Sequence, residues 1–301
     1  MTVHHFQPKT YPNSFGPHAP VLRIADGDRV ATTTIDAAGV DALGQEVAGR
    51  PNPQTGPFYI EGAEPGDTLV VHLDRLAPNR TTGWTKDVLA EPVVVAEGVR
   101  SLPTARRIEW CIDLDKNLAE PVQPLAGLAG FSIQLDPMLG CIGVAPEGGQ
   151  AISSATSGKH GGNMDYRGVR TGATLYFPVF VPGALLHLGD GHAVQGAGEV
   201  VGTGIETAFE VQFTVHLLKG KRIHGPRGED DDTIFTLGND RPLDGALQHA
   251  TTEMLFWLQE DYGLDVRAAS ILLGMCVEYE VGNVYDPAYT MVCKLAKAVL
   301  P

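Results

Sequence analysis

The sequence lacks any uninterrupted apolar run near the ~18 residues that a membrane-spanning helix needs. It is also poor in basic residues: 22 Lys and Arg stand against 36 Asp and Glu, a formal net charge of -14. Binding to nucleic acid depends on Lys and Arg neutralising phosphates, so both a membrane and a nucleic-acid partner are excluded as expectations. Only four cysteines occur, at 111, 141, 276 and 293. They form no CxxC pair, which leaves neither a thiolate zinc site nor a disulfide framework. The first twenty residues contain no apolar core of a secretory leader, and the expected location is the cytoplasm. There is no GxSxG elbow and no GxxxxGK[ST] loop, and "GAGEVVG" (196–202) has no helix after it to make a dinucleotide site.

What is present is turn chemistry. With 36 Gly and 21 Pro in 301 residues, the chain reads as many short strands joined by tight turns. Stretches such as "ADGDRVATTTID" (25–36), "EPGDTLVVHL" (64–73), "TGATLYFPVF" (171–180) and "PGALLHLGD" (182–190) each place Gly at a turn and apolar or β-branched residues at period two beyond it. "RRIEWCIDL", "FSIQL", "AFEVQFTVHLL", "TIFTLG" and "YTMVCKLAKAVL" continue the pattern. The expected fold is mainly β, a sandwich or barrel-like body, with a small helical segment at about 244–275 that opens near Asp244 and has Gly263 as a C-cap. The chain is expected to be one unit over 1–301, the alternative being two β subdomains at about 1–150 and 151–301.

The densest glycine stretch, "GDGHAVQGAGEVVGTGIE" (189–206), also holds polar groups. Asp190 and His192 stand at i and i+2, a spacing that on extended backbone turns both side chains to one face, where they can grip one ion. "KHGGNMD" supplies His160 and Asp165 at a second Gly-Gly turn. A mixed nitrogen and oxygen donor set suits zinc better than a thiolate metal, with calcium the second choice. Satisfied loop histidines and turn-capping carboxylates are the bland alternative. Cys141, in "LGCIGVAP", invites a nucleophile reading, but no base adjoins it in sequence and a lone cysteine among apolar residues is more often core.

Five segments, "NPQTGPFYIEGAEPGDTL" (52–69), "GCIGVAPE" (140–147), "HGGNMD" (160–165), "LYFPVFVPGALLHLGDGHAVQGAGEV" (175–200) and "GIE" (204–206), resemble the acetamidase/formamidase family in order and over nearly the whole chain. The resemblance implies a mostly β fold and hydrolysis of the C–N bond of short amides to ammonia and a carboxylate. Some relatives act on lactams, which stays an alternative. It further implies a divalent ion near the Asp/His motifs. The expected ligands are His160, Asp165, Asp190 and His192, with His192 also counted among the catalytic groups.

An amide is a poor electrophile, and its hydrolysis needs carbonyl polarisation and a proton for the departing nitrogen. Glu61 is the first choice to move that proton and Glu206 the second, because each ends an apolar strand where burial raises a carboxyl pKa. Asn163 and Gln195 are the expected substrate-binding groups, and a homo-oligomer is expected from exposed strand edges. One departure stands out: the family carries an aspartate where this chain has Ala197, so position 197 is expected to bear on the chemistry. Two rivals remain, a non-catalytic metal-stabilised β-sandwich binding protein and a thiol amidase using Cys141.

Overall fold

The computed structural model describes residues 2–301. Two large sheets of nine and eleven strands, with a two-stranded ribbon beside them, are built from mostly antiparallel pairs. The nine-stranded sheet is centred on Thr68–Pro78 and Phe209–Leu218 and runs out to Tyr289–Ala296 and Glu278–Val281 at one edge. In the other sheet, Leu186–His192 pairs on one side with Met138–Gly143 and on the other with Glu206–Thr207 and Thr55–Ile60.

Period-two patterning explains the layering. Leu69, Val71 and Leu73 of Thr68–Pro78, with Val211, Phe213 and Val215 of Phe209–Leu218, meet Phe58, Leu139, Ile142, Leu186 and Leu188 of the opposite sheet in one buried core. Alternate residues of a strand point to opposite faces, so each strand contributes one row to this layer. The body is therefore a sandwich of two open sheets rather than a closed barrel. Each sheet takes strands from both sides of residue 150, and the largest core cluster draws on both.

The helices lie on the outer face of the nine-stranded sheet. Leu243–Tyr262 and Val266–Cys276 pack Met254, Trp257, Leu258, Ala269 and Leu273 against Ile234, Cys293 and Leu295. The first helix begins at Pro242 rather than on an Asp244 cap, and Asp244 sits in its first turn, where a carboxylate favours the helix dipole. Gly263 closes it with φ 66°, the left-handed cap that glycine adopts without steric cost. Among the described residues, no helix is long and apolar enough to cross a membrane.

Candidate active site

The strand Leu186–His192 is buried along its whole length. Leu186 and Leu188 point into the core, and strict alternation would send Asp190 and His192 after them. It does not, because Asp190 has φ 58°. The left-handed residue shifts the register of faces: a Cβ on Gly191 would strike the Phe209 ring of the core, while Asp190 and His192 turn to the other side. Non-glycine residues in this region cost roughly 1–3 kcal/mol and persist where the surroundings impose them, often at functional sites. Asn52, Asp165, Asp190 and Glu199 are four of the seven such residues among those described, and all four lie in this one place.

Around them six buried ionisable groups converge. Asp165, Asp190 and His192, then His192, Glu199 and Glu206, then Asp165, Glu199 and Asp286 form three groups whose donor atoms each lie within 4.8 Å of one another. His192 Nε2 is 3.0 Å from Glu206 Oε1 and 3.4 Å from Asp190 Oδ1. Neither approach has the direction of a hydrogen bond, and Asp165 Oδ1, Asp190 Oδ1, His192 Nε2, Glu199 Oε2 and Glu206 Oε2 are buried without partners. Two donors held about 2.1 Å from one ion and roughly 90–110° apart lie about 3.0–3.4 Å from each other. The spacing is that of ligands aimed at a common point. A Cβ on Gly140 would collide with both Asp165 Oδ1 and Asp190 Oδ2, so glycine beneath the cluster keeps that space open.

The electrostatics agree. Five carboxylates surround one imidazole, and among the described residues no Lys or Arg pairs with any of them. Burial, reinforced by the neighbouring carboxylates, pushes Glu206 up to about 8 and Asp286 up to about 6. The same causes raise Asp165 and Glu199 well above the usual carboxylate range. Burial alone would lower His192, but Glu206 and Asp190 outweigh it and hold the imidazole well above its ordinary value. Such a cluster calls for protons or for a cation, since like charges in a low dielectric cannot all ionise unpaired.

Neighbouring amides hold these groups in place. Gln195 Oε1 lies 2.8 Å from His192 Nδ1, while its Nε2 donates to the carbonyls of Asp165 at 2.6 Å and Gly282 at 3.3 Å. Two carbonyls fix the NH2 end of the amide, so Oε1 must accept from Nδ1–H and the lone pair of Nε2 faces the cluster. Asn163 donates to Asp286 Oδ2 at 2.5 Å and accepts from Asn52 at 2.9 Å and from the Cys141 thiol at 2.5 Å. Asn52 also reaches Asp190 Oδ2 at 3.1 Å. Of the two residues expected to bind substrate, Asn163 lines the cavity over the cluster while bonded to Asn52, Cys141 and Asp286, and Gln195 holds His192 and the Asp165 carbonyl.

Asp165, Asp190, His192 and Glu206 come together; Glu61 and His160 do not join them. Glu61 is half exposed at the turn after Thr55–Ile60 and pairs with Arg23 at 3.0 Å. The turn that follows its strand leads to solvent, not to the cluster. His160 is buried beside Phe15, with ring centroids 5.4 Å apart, and burial lowers it to about 4. Asn163, at the far end of the strand Gly161–Asn163 that follows His160, reaches Asp286 of the cluster instead. Ala197 is exposed, and the carboxylate that reaches inward from its loop is Glu199.

Glu199, Asp286, Asn52 and Asn283 went unassigned in the sequence. Glu199 stood in the quoted glycine-rich stretch, and its position after Gly198 is the one signal available. Asp286 had none: the hairpin of Glu278–Val281 and Tyr289–Ala296 carries it in from the end of the chain. Asn283 Nδ2 lies 3.4 Å from Asp165 Oδ2, which ties that hairpin to the cluster.

A cavity of about 310 Å³ opens over the carboxylates, with Ala37, Ala38, Trp84 and Lys86 in its walls and Asn52, Asp190, Glu199, Glu206 and Asp286 in its floor. That is at the small end of ligand pockets, which run from roughly 300 to 1,000 Å³.

A two-sheet sandwich with a buried acid and imidazole cluster under a small cavity defines the class of site. The sequence model of the Acetamidase/Formamidase family matches residues 147–242. An acetamidase structure from Yersinia enterocolitica is 30% identical, with a TM-score of 0.87 over 99% of this chain and 93% of that one. An acetamidase structure from Bacillus halodurans is 31% identical, with a TM-score of 0.83 over 97% of both chains. The chain belongs to the acetamidase/formamidase family. A putative formamidase of Schizosaccharomyces pombe is 29% identical over 213 residues, 55% of this chain and 51% of that protein. The chain thus aligns with about half the length of this curated relative.

Proposed function

We propose that this chain hydrolyses the C–N bond of a small primary amide, giving ammonia and a carboxylate, with a divalent ion held by Asp165, Asp190 and His192. The observation that carries the reading is the convergence of three unpartnered, buried donor atoms, Asp165 Oδ1, Asp190 Oδ1 and His192 Nε2, on one point with no cationic side chain among them. Zinc is the first choice, because an imidazole nitrogen among carboxylates suits it better than calcium, which prefers six to eight oxygens. When bound, the ion would supply Lewis-acid polarisation of the amide carbonyl.

The remaining steps fall to the chain's own groups. Glu206 faces the cavity with Oε2 free, the position from which a carboxyl accepts a proton and returns it to a substrate held there. It takes the proton of the attacking water and delivers it to the departing nitrogen. Glu199 and Asp286 lie beside it in the cavity floor. Trp84, Ala37 and Ala38 exclude water from one side.

The thiol rival is disfavoured by the same burial. Desolvation, then Asp190 and Asp165, push the Cys141 thiol well above its ordinary value, the opposite of an activated nucleophile. Assembly into a homo-oligomer belongs to the same proposal, supported by Ile271 and Met275, which are 68% and 79% exposed on Val266–Cys276. Ammonia release from formamide and acetamide, with zinc and calcium measured on the same sample, tests the reading. Bound metal without ammonia from any amide would favour the binding-protein alternative.

A further inference from the structure

Two side-chain amides lie in series between two carboxylates of the cluster, and the carboxylates fix which way each amide points. Asn163 Nδ2 donates to Asp286 Oδ2 at 2.5 Å, Asn52 Nδ2 donates to Asn163 Oδ1 at 2.9 Å, and the same Asn52 nitrogen donates to Asp190 Oδ2 at 3.1 Å. An ionised carboxylate only accepts, so the NH2 end of Asn163 faces Asp286 and the NH2 end of Asn52 faces Asp190. The Cys141 thiol, a donor, also meets Asn163 Oδ1 at 2.5 Å, which agrees with that direction.

The backbone of Asn52 is held as well as its nitrogen. Its φ of 34° lies in the left-handed region, which asparagine tolerates better than most residues. Gln54, fully buried, donates from Nε2 to the Asn52 carbonyl at 2.8 Å, and a Cβ on Gly189 would crowd that Gln54 amide. Glycine at 189, in the strand that carries Asp190 and His192, therefore leaves room for the side chain that clamps Asn52.

One polar atom of Asn52 is left unused. Among the described residues no donor reaches its Oδ1, and unlike the orphaned atoms of the cluster this oxygen is not enclosed by protein. Asn52 lines the cavity, so the free acceptor opens onto it. Asp190 bridges the two places: its Oδ2 holds Asn52, while its Oδ1 faces the point on which Asp165 Oδ1 and His192 Nε2 also converge. A carbonyl oxygen gains nothing from a second acceptor, whereas the N–H groups of a carboxamide do.

We propose that Asn52 is a substrate-binding residue: its Oδ1 accepts an N–H of a carboxamide whose carbonyl oxygen lies over the cluster, and so selects primary amides over esters and ketones of the same shape. The inference rests on the amide-hydrolase reading and names the group that tells an amide from its isosteres.

The test compares kcat/KM for acetamide and methyl acetate in the wild type, Asn52→Ala and Asn52→Ser, with zinc content measured on each. Loss of the ion or of the Asp190 contact slows both substrates, whereas loss of Oδ1 slows only the one that donates. The ratio of acetamide to methyl acetate is expected to fall about tenfold in both variants, the upper end of what one hydrogen bond contributes. Calorimetric Kd values for acetamide and acetone, in which a methyl group replaces NH2, are measured on the same proteins, and the preference for acetamide should shrink in step. Folded variants in which both ratios stay at the wild-type value overturn the proposal and leave Asn52 only a support for Asp190. If neither variant folds, the wild type decides: tighter binding of acetamide than of acetone supports the subsite, and equal or weaker binding overturns it. If the wild type turns over no amide, the functional reading fails by itself. The subsite then stands if the preference for acetamide over acetone shrinks in Asn52→Ala, and falls if it does not.

Discussion

Gln195 Oε1 sits 2.8 Å from His192 Nδ1, and the other end of the same amide grips the Asp165 carbonyl. One buried side chain thereby sets the tautomer of His192 and the backbone position of Asp165. Gln195→Leu removes both bonds, and loss of such an outer partner costs roughly 10- to 100-fold in metal affinity. Equilibrium dialysis against zinc measures it. An unchanged affinity in a folded variant would mean that His192 is oriented by packing alone.

Asp190→Ala and His192→Ala are expected to lose bound metal and turnover while remaining folded, with metal content read by mass spectrometry. The collision space at Gly140 gives a third variant, Gly140→Ala, whose methyl group would fill the gap between Asp165 and Asp190 and displace the ion as well. Stoichiometric metal in all three would refute the ligand set.

Stability of the ion-free protein carries a pH signature. Glu206 stands at about 8 against an ordinary 4.5, and Asp286 at about 6 against 3.8. A group whose folded pKa is raised contributes stability that is fully present below its unfolded pKa and lost as pH rises through the folded one. Stripped protein should therefore lose thermal stability steadily between about pH 4 and pH 8, and the raised values of Asp165, Glu199 and His192 add in the same direction. The ion replaces those protons, so loaded protein should keep its melting temperature over the upper part of that window. Parallel melting curves for the two forms across the range would contradict the account.

Glu206→Gln should lower kcat by about 10²- to 10⁴-fold, the usual worth of a positioned acid–base group. Glu61→Gln should change neither kcat nor KM, since a half-exposed pair with Arg23 contributes about 0–1 kcal/mol of stability and nothing to the chemistry. Steady-state kinetics on acetamide separate the two. The reverse order of effects would restore Glu61 to the site.

Cys141→Ser is expected to retain most turnover, because the hydroxyl can still donate to Asn163 Oδ1 and the thiol is held neutral by burial. Abolished turnover in a folded variant would revive the thiol mechanism.

The strands were legible because each follows a glycine turn with residues at period two, and every quoted stretch became a strand of one of the two sheets. Asp190 and His192 were legible from their spacing, although the physical reason differs. Left-handed backbone at Asp190, rather than simple alternation, brings both to one side. Glu61 looked like Glu206 in sequence, since each stands at a strand boundary. Which boundary faces the second sheet's outer cluster is a property of strand order, not of local pattern. Asp286 and Asn283 arrive through pairings across more than a hundred residues, which no window of sequence displays. Ala197 attracted notice by departing from a family motif, yet its side chain faces solvent and Glu199, two residues on, occupies the interior.

The most direct test of the central claim is ammonia release from acetamide by one preparation before chelation, after exhaustive chelation, and after return of zinc. The account predicts that turnover disappears with the ion and returns with about one equivalent of it. Full turnover in demonstrably metal-free protein would contradict the account.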